Sequence, residues 1–488
     1  MTKTIAIIGS GFSALAASCY LAQQGNKVTI YEKNDTIGGR ARQFKKDGFT
    51  FDMGPSWYWM PDVFERFFHD FSKQTSDYYQ LIKLNPAYRV YFGINDFINI
   101  YDNLEEIKST FENIEKGSGA KLEVFISHAK SNYDIAIKEL VYRPGVSPLE
   151  LITPQTILKL NQFFSTVSND IRKEFKNERL VQILEFPVLF LGAKPSKTPS
   201  FYNFMNYADF GLGTWHPKTG MFDVIRGIEK LALELGVTIE TNSPIEKIII
   251  ENKTATGIVI NGKIINADII LSGADYHHTE TLLDETFRTY SDKYWESRVF
   301  APSSLLFFVG FNKKIENVTH HALFFDVDFN QHAVDIYDHP KWPDAPLFYA
   351  NFPSKTDKTA APEGMESGFF LIPLAPGIND SEELREEYFE KIITRFEQLT
   401  QQDVKNNIIF KKSFCKNDFV TDYNAYKGNA YGMANTLLQT AFLRPKLKSK
   451  KVRNLYFTGQ LTVPGPGVPP ALISGKLVAE LIQKSIRP

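Results

Sequence analysis

The chain has 488 residues, 43% of them hydrophobic and 23% charged, an ordinary globular composition long enough for about three domains. Its 55 Lys and Arg balance 56 Asp and Glu to a net charge of −1, which excludes a global field for nucleic acid or an anionic surface. Aromatics are in excess, with 40 Phe, 22 Tyr and 5 Trp making 14% of the chain, either as core or as the lining of a large apolar site.

Ile5 to Ala22 run 18 positions without a charge, which resembles a signal segment or a short membrane span. The pattern inside that run points elsewhere. Thr4-Ile5-Ala6-Ile7-Ile8 is a β-rich run that stops at Gly9-Ser10-Gly11. An Ala/Leu-rich helix is expected from Ser13 to Gln24, ended by Gly25, and a second strand from Val28 to Glu32. Such a βαβ unit is apolar because its strands are buried on both faces. No other stretch is comparable, so neither a cleaved signal nor a membrane span is expected.

Gly9-Ser10-Gly11-Phe12-Ser13-Ala14 reads G-x-G-x-x-A. The first glycine allows a tight turn, the second lets backbone approach a pyrophosphate, and Ala14 lets helix and strand pack closely. The helix N-terminus then offers free N–H groups and a positive dipole end to phosphates. Glu32 ends the second strand, where a carboxylate can accept from ribose hydroxyls. Two further compact turns select FAD over NAD: Ile37-Gly38-Gly39-Arg40, whose arginine can face a phosphate, and Phe51-Asp52-Met53-Gly54-Pro55-Ser56.

Downstream, residues 103–185 are largely helical in character. Leu180 to Leu191 is strongly apolar around Pro187, with Phe186, Leu189 and Phe190, and suits either buried core or a substrate-channel or membrane-facing surface. Ile245 to Ile250 and Ala255 to Ile260 read as strands, and Asn261-Gly262 as a hairpin turn. Asp268 to Leu271, Ser303 to Gly310 and Gly368 to Pro373 are further buried strands. Asn454 to Thr458 is a strand entering a glycine turn at Gly459, followed by a proline-rich loop and a helix from about Pro469 to Ile482. Cys19 and Cys415 lie 396 positions apart and make no disulfide framework. His277-His278 and His320-His321 are adjacent, a poor spacing for sharing a metal along a strand, and no metal site is expected.

These motifs together resemble the FAD-dependent amine oxidase and phytoene desaturase superfamily, and within it the bacterial-type carotenoid desaturases. The likeness spans nearly the whole chain. Besides the N-terminal turns it rests on Met60 to Phe64, Trp215-His216-Pro217 to Gly227, Ala361 to Gly364, Asn424 to Gly428, Phe442 to Pro445, Asn454 to Gly459, Pro464 to Pro469 and Ser474-Gly475. Two departures stand out. Thr219 replaces a usual glycine, and Gln460-Leu461-Thr462-Val463 replaces a run that commonly ends in histidine. The second departure suggests a subgroup with its own substrate.

The resemblance implies an α/β fold. A Rossmann-type FAD-binding domain would be assembled from residues 1–70, 215–285 and 440–488. An α+β substrate domain, with a helical membrane-associating part, would comprise 71–214 and 286–439. It implies FAD contacts at Gly9, Ser10, Gly11, Phe12, Ser13, Ala14, Glu32, Lys33, Gly38, Gly39, Arg40, Gly54, Pro55, Ser56, Ile245, Gly459, Gln460, Gly467 and Val468. The implied reaction removes two hydrogens from a long polyene, phytoene-like or 1-hydroxylated at C3–C4. Glu150, Asp209 and His216 lie near relevant segments, but none is assigned as proton acceptor. The substrate would come from the membrane to a peripherally attached cytoplasmic enzyme, with oxygen or a quinone as final acceptor and no nucleic acid partner. Competing readings are a carotene isomerase, a retinol saturase, an amine oxidase, or a non-catalytic prenyl-lipid carrier of the same fold.

Overall fold

A computed structural model describes residues 2–486, apart from the side chain of Phe190. A five-stranded parallel sheet runs in the order Leu455–Phe457, Ile269–Ser272, Thr4–Ile8, Lys27–Tyr31, Thr238–Glu240. Ile5 is in register with Ile269 on one side and Val28 on the other. The first strand explains the uncharged N-terminal run. Ile5 and Ile7 pack with helices Phe12–Gln23 and Val468–Ile486. Ala6 and Ile8 pack with the three-stranded antiparallel sheet Lys247–Glu251, Thr254–Ile260, Lys263–Asn266. Both faces are therefore dry, as a parallel sheet requires. Asn261 and Gly262 both adopt positive φ at the hairpin turn, the geometry that an Asn-Gly pair favours.

A mixed seven-stranded sheet forms the second layer, ordered Ile408–Phe414, Ser303–Phe311, Glu366–Leu374, Phe348–Asn351, His321–Phe324, Tyr88–Gly93, Asp96–Ile100. Phe307, Val309 and Phe311 face helix Glu382–Thr400, while Leu306 and Phe308 face the main core. Helices Leu104–Ile114, Ser118–Lys138, Val167–Glu174 and Glu178–Glu185 fill the region read as helical. The apolar run after Leu180 becomes the end of one helix and a 3₁₀ segment, Phe186–Leu191. It serves as core and channel at once: Leu180, Ile183 and Leu184 are fully buried, while Phe186, Leu189 and Leu191 line a cavity.

The two cysteines are buried and free. Among the described residues no cluster of three His, Cys, Asp or Glu could hold a metal, and no helix is long and apolar enough to cross a membrane.

Candidate active site

One cavity of about 810 Å³ extends from the first glycine turn, along the inner face of the seven-stranded sheet, to the helical region. Its near end is built of backbone. Gly9 holds φ +84°. A Cβ on Gly11 would meet nothing within 4 Å, so the backbone there is open to the cavity. A Cβ on Gly39 would come to 3.3 Å from Gly11 Cα, and one on Gly54 to 2.0 Å from the Arg40 carbonyl oxygen. The three glycine turns thus interlock, and only glycine fits at position 54. Glu32 is buried beneath them. Its Oε2 accepts from Ser10 N (2.9 Å) and Oγ (2.6 Å), and its Oε1 from the N and Nδ2 of Asn34 (2.9 Å each). In this geometry the carboxylate props up the glycine turn while lining the cavity.

Arg40 supplies the charge. Among the described residues no carboxylate lies within ion-pair distance of its guanidinium, and its Nε has no hydrogen-bond partner. Nη2 donates to the Asn429 carbonyl at 3.2 Å, and with the Gln460 amide oxygen turned inward that oxygen accepts from Nη1 and Nη2 at 3.3 and 3.0 Å. Desolvation lowers the Arg40 pKa, and only the field of Asp275 and Tyr423 opposes it. A desolvated cation facing a cavity without a counter-ion is unfavourable unless the ligand is an anion. The open helix N-terminus at Gly11 faces the same space.

The C-terminal segment closes this end. Gly459 N donates to Ser474 Oγ at 3.0 Å, and Thr458 and Thr462 reach the same hydroxyl. Helix Val468–Ile486, with Pro469 and Pro470 in its first turn, points its N-terminus at the cavity. Of the nineteen expected contacts, all line this cavity except Ala14. Ala14 is fully buried, and a Cβ on Gly273 would lie 2.7 Å from its own, so it sets the helix-to-strand approach instead.

The far end is apolar and aromatic, with Trp57, Phe186, Phe325, Phe329, Leu347 and Leu371 on its wall. His332 lies here with both ring nitrogens satisfied, one against the Pro373 carbonyl and one accepting from Leu347 N, and burial lowers its pKa to about 4. The three unassigned candidates fall apart. Glu150 accepts from the backbone N–H groups of Gly145, Val146 and Ser147 and organises a loop at the rim. Asp209 is buried outside the cavity, accepts from Tyr88 Oη at 2.7 Å, and is pushed up to about 7 by desolvation. His216 is buried with neither nitrogen partnered, and desolvation lowers it to about 4.

Several positions that brace the site are not marked in the sequence. Asp52 accepts from Met221 N (2.6 Å) and Phe222 N (3.2 Å), so it caps helix Phe222–Glu234 and ties the second glycine turn to the middle motif. Burial raises its pKa to about 6. Arg444 is fully buried without a carboxylate among the described residues, and donates to the carbonyls of Met433 and Gln460. Tyr349 places its hydroxyl 2.9 Å from Ser56 Oγ and 2.6 Å from His321 Nδ1. Residue type alone gave no signal for these pairings, and those of Asp52 and Tyr349 join segments distant in sequence.

Residues 12–483 match the family described as flavin containing amine oxidoreductase. The chain is 40% identical over 490 residues to a carotenoid 3,4-desaturase of Haloarcula japonica, covering 99% of both chains. It is 32% identical over 498 residues to a 4,4'-diapophytoene desaturase (4,4'-diaponeurosporene-forming) of Staphylococcus haemolyticus, again over 99% of each. Among solved structures, an oxidoreductase from Methanosarcina mazei aligns with a TM-score of 0.65 at 16% identity, over 98% of this chain and 99% of that one. Cyclohexylamine oxidase from Brevibacterium oxydans aligns at 0.59 and 13%, over the whole of both; these two share the fold. FAD is the cofactor, and the unpaired Arg40 and the open backbone at Gly11 fit its pyrophosphate. The chain belongs to the flavin containing amine oxidoreductase family, among its carotenoid desaturases.

Proposed function

We propose that this protein desaturates a long carotenoid, forming a C=C bond at C3–C4 of an acyclic or monocyclic, 1-hydroxylated chain. The observation that carries this is the 810 Å³ cavity, polar and glycine-walled at one end and apolar for the rest of its length. A soluble polar amine would leave most of that wall unmatched, and a rigid polyene fills it. The 40% identity to a protein named carotenoid 3,4-desaturase supports the position of the new bond.

Bound FAD supplies the two-electron oxidation. The chain supplies the rest. Arg40 and the N-terminus of helix Phe12–Gln23 would hold the phosphates, Gly54-Pro55-Ser56 and Gly467-Val468 would wall the ring, and the aromatic wall orients the polyene and excludes water. Oxygen or a quinone takes the electrons afterwards.

The substrate reaches the site from a membrane. Leu149 (70% exposed), Leu158 (82%), Phe164 (78%) and Leu438 (75%) are large apolar side chains in solvent. They alternate along the chain with Ser147, Leu151, Thr156, Phe163, Leu437 and Phe442, which line the cavity. An apolar rim continuous with an apolar cavity suits peripheral docking on a bilayer.

The test is pigment extraction from cells making phytoene, lycopene or 1′-hydroxy-γ-carotene together with this protein. A bathochromic product only from the hydroxylated strain is expected. Unchanged pigments in all three strains, with a yellow purified protein, would sink the proposal; a colourless protein unable to take up FAD would favour a lipid carrier.

A further inference from the structure

Desaturation releases a proton as well as a hydride, and the carboxylates nearest the relevant segments are engaged elsewhere. The wall of the cavity beside Ser56 holds a different kind of group. Tyr349 lines the cavity from strand Phe348–Asn351, with its hydroxyl between Ser56 Oγ (2.9 Å) and His321 Nδ1 (2.6 Å). His321 is fully buried, and its ring is fixed by stacking on Trp57 at 4.0 Å between centroids. Asn351 Nδ2 also approaches His321 Nδ1 at 3.2 Å, which favours the tautomer with Nδ1 as acceptor. The Tyr349 hydroxyl donates to Ser56 Oγ, and in that tautomer its single proton, turned the other way, donates to the imidazole across the shorter contact.

Behind this pair lies a polar cluster with unspent capacity. His320 and His216 are buried, with rings 4.5 Å from His321 and 4.3 Å from His320, respectively. Nε2 of His321, Nε2 of His320 and both nitrogens of His216 have no partner within the protein. Against His216 is a small pocket of about 10 Å³, with Asp52, Ser56, Asn351 and Ser367 on its polar side and Phe51, Met221 and Phe369 on its apolar side. That is about the room one water occupies, with enough polar groups to hold it. Ser56 lines both spaces. Four unspent nitrogens and a water-sized, partly polar pocket beside an apolar tunnel are poorly explained by packing alone.

We propose that Tyr349 accepts the proton lost by the substrate and passes its own proton to His321, which releases a proton from its unpartnered Nε2. This rests on the desaturation reading above. Bound flavin would supply the acceptor for the hydrogen that one substrate C–H gives up with its electron pair, as hydride. The neighbouring C–H then breaks, its electron pair becomes the new π bond, and its proton goes to Tyr349 Oη as the tyrosine proton moves to His321 Nδ1. A C–H next to a polyene cation is strongly acidic, so a neutral hydroxyl–imidazole pair is base enough. Burial and the neighbouring His216 hold His321 well below the usual histidine pKa, so the proton is released again readily. Tyr349 is the catalytic residue here, and His321 positions and relays.

The test uses FAD-loaded Tyr349→Phe and His321→Gln against the wild type, with the carotenoid in liposomes. Anaerobic bleaching of the flavin by substrate should slow about 100-fold in Tyr349→Phe, with bound flavin per chain unchanged. A second readout needs no turnover: deuterium exchange at the His321 C2–H, followed against pH. Losing the tyrosine donor should move its midpoint upward, while the His332 midpoint stays in place. The titratable groups around His321 are His216, His320, Tyr349 and, across the small pocket, Asp52. Bleaching within twofold of wild type, or an unshifted His321 midpoint, would overturn the proposal. If the wild type itself is not bleached by any carotenoid, it is the desaturation reading that fails, and the exchange midpoint still decides whether Tyr349 and His321 are coupled.

Discussion

Arg40 is a residue whose surroundings make sense only with a ligand. Among the described residues no carboxylate pairs with it, so its charge is a liability to the empty fold and an asset once phosphate arrives. Arg40→Met should therefore leave the thermal stability of the FAD-free protein unchanged or higher. A charge-assisted hydrogen bond contributes roughly 1.5–3 kcal/mol, so FAD affinity should fall about 10- to 100-fold, read by flavin fluorescence titration. Asp209 gives the pH counterpart. Its folded pKa of about 7 lies above the ordinary carboxylate value, so the folded state holds its proton where the unfolded state has lost it. Its contribution is present at low pH and is lost as pH rises through about 7. Asp209→Asn, which keeps an acceptor for Tyr88, should raise stability at pH 8 by ~2–4 kcal/mol and change little at pH 4, measured by denaturant unfolding at both.

Elements whose position follows from local chemistry were legible in the sequence. The strand–turn–helix at Thr4–Gln23, the Asn261-Gly262 hairpin and the strands at 303–311 and 366–374 were readable because burial on both faces or a turn dipeptide marks them within a few residues. The glycine turns were legible for the same reason, and they bring eighteen of the nineteen expected contacts to one cavity. What sequence could not give is pairing across distance. The Asp52 cap on Phe222–Glu234 spans about 170 positions, and Tyr349 meets Ser56 across 293. The crossing of helices Phe12–Gln23 and Val468–Ile486 is another such pairing. A Cβ on Gly475 would sit 2.6 Å from the Ser13 carbonyl and 2.9 Å from Ala16 Cβ. Gly475→Val should force the helices apart, lower stability by about 1–3 kcal/mol and speed FAD release, both visible in a melt followed by flavin fluorescence.

For the whole molecule, charge and apolar surface are arranged differently from their averages. The −1 balance excludes a global electrostatic partner, yet exposed apolar residues gather at the rim of the one large cavity. The aromatic excess divides accordingly, into stacked core pairs such as Tyr91–Phe324 and a cavity wall that includes Trp57 and Phe186. Leu158→Glu combined with Phe164→Glu should abolish flotation with liposomes and leave FAD content and folding intact. Flotation equal to wild type would remove the rim from the docking surface.

The parallel sheet also has a consequence in time. Its third and second strands in spatial order are Thr4–Ile8 and Ile269–Ser272, and its edge is Leu455–Phe457. A nascent chain growing at about 15 residues per second has its glycine turn made within a second, and waits about half a minute for the strand and helix that close over it. Until the strand Leu455–Phe457 and the helix Val468–Ile486 have been made, no dinucleotide can be enclosed. Chains cut short before that helix should therefore emerge colourless, and flavin colour should report that the closing helix has been made.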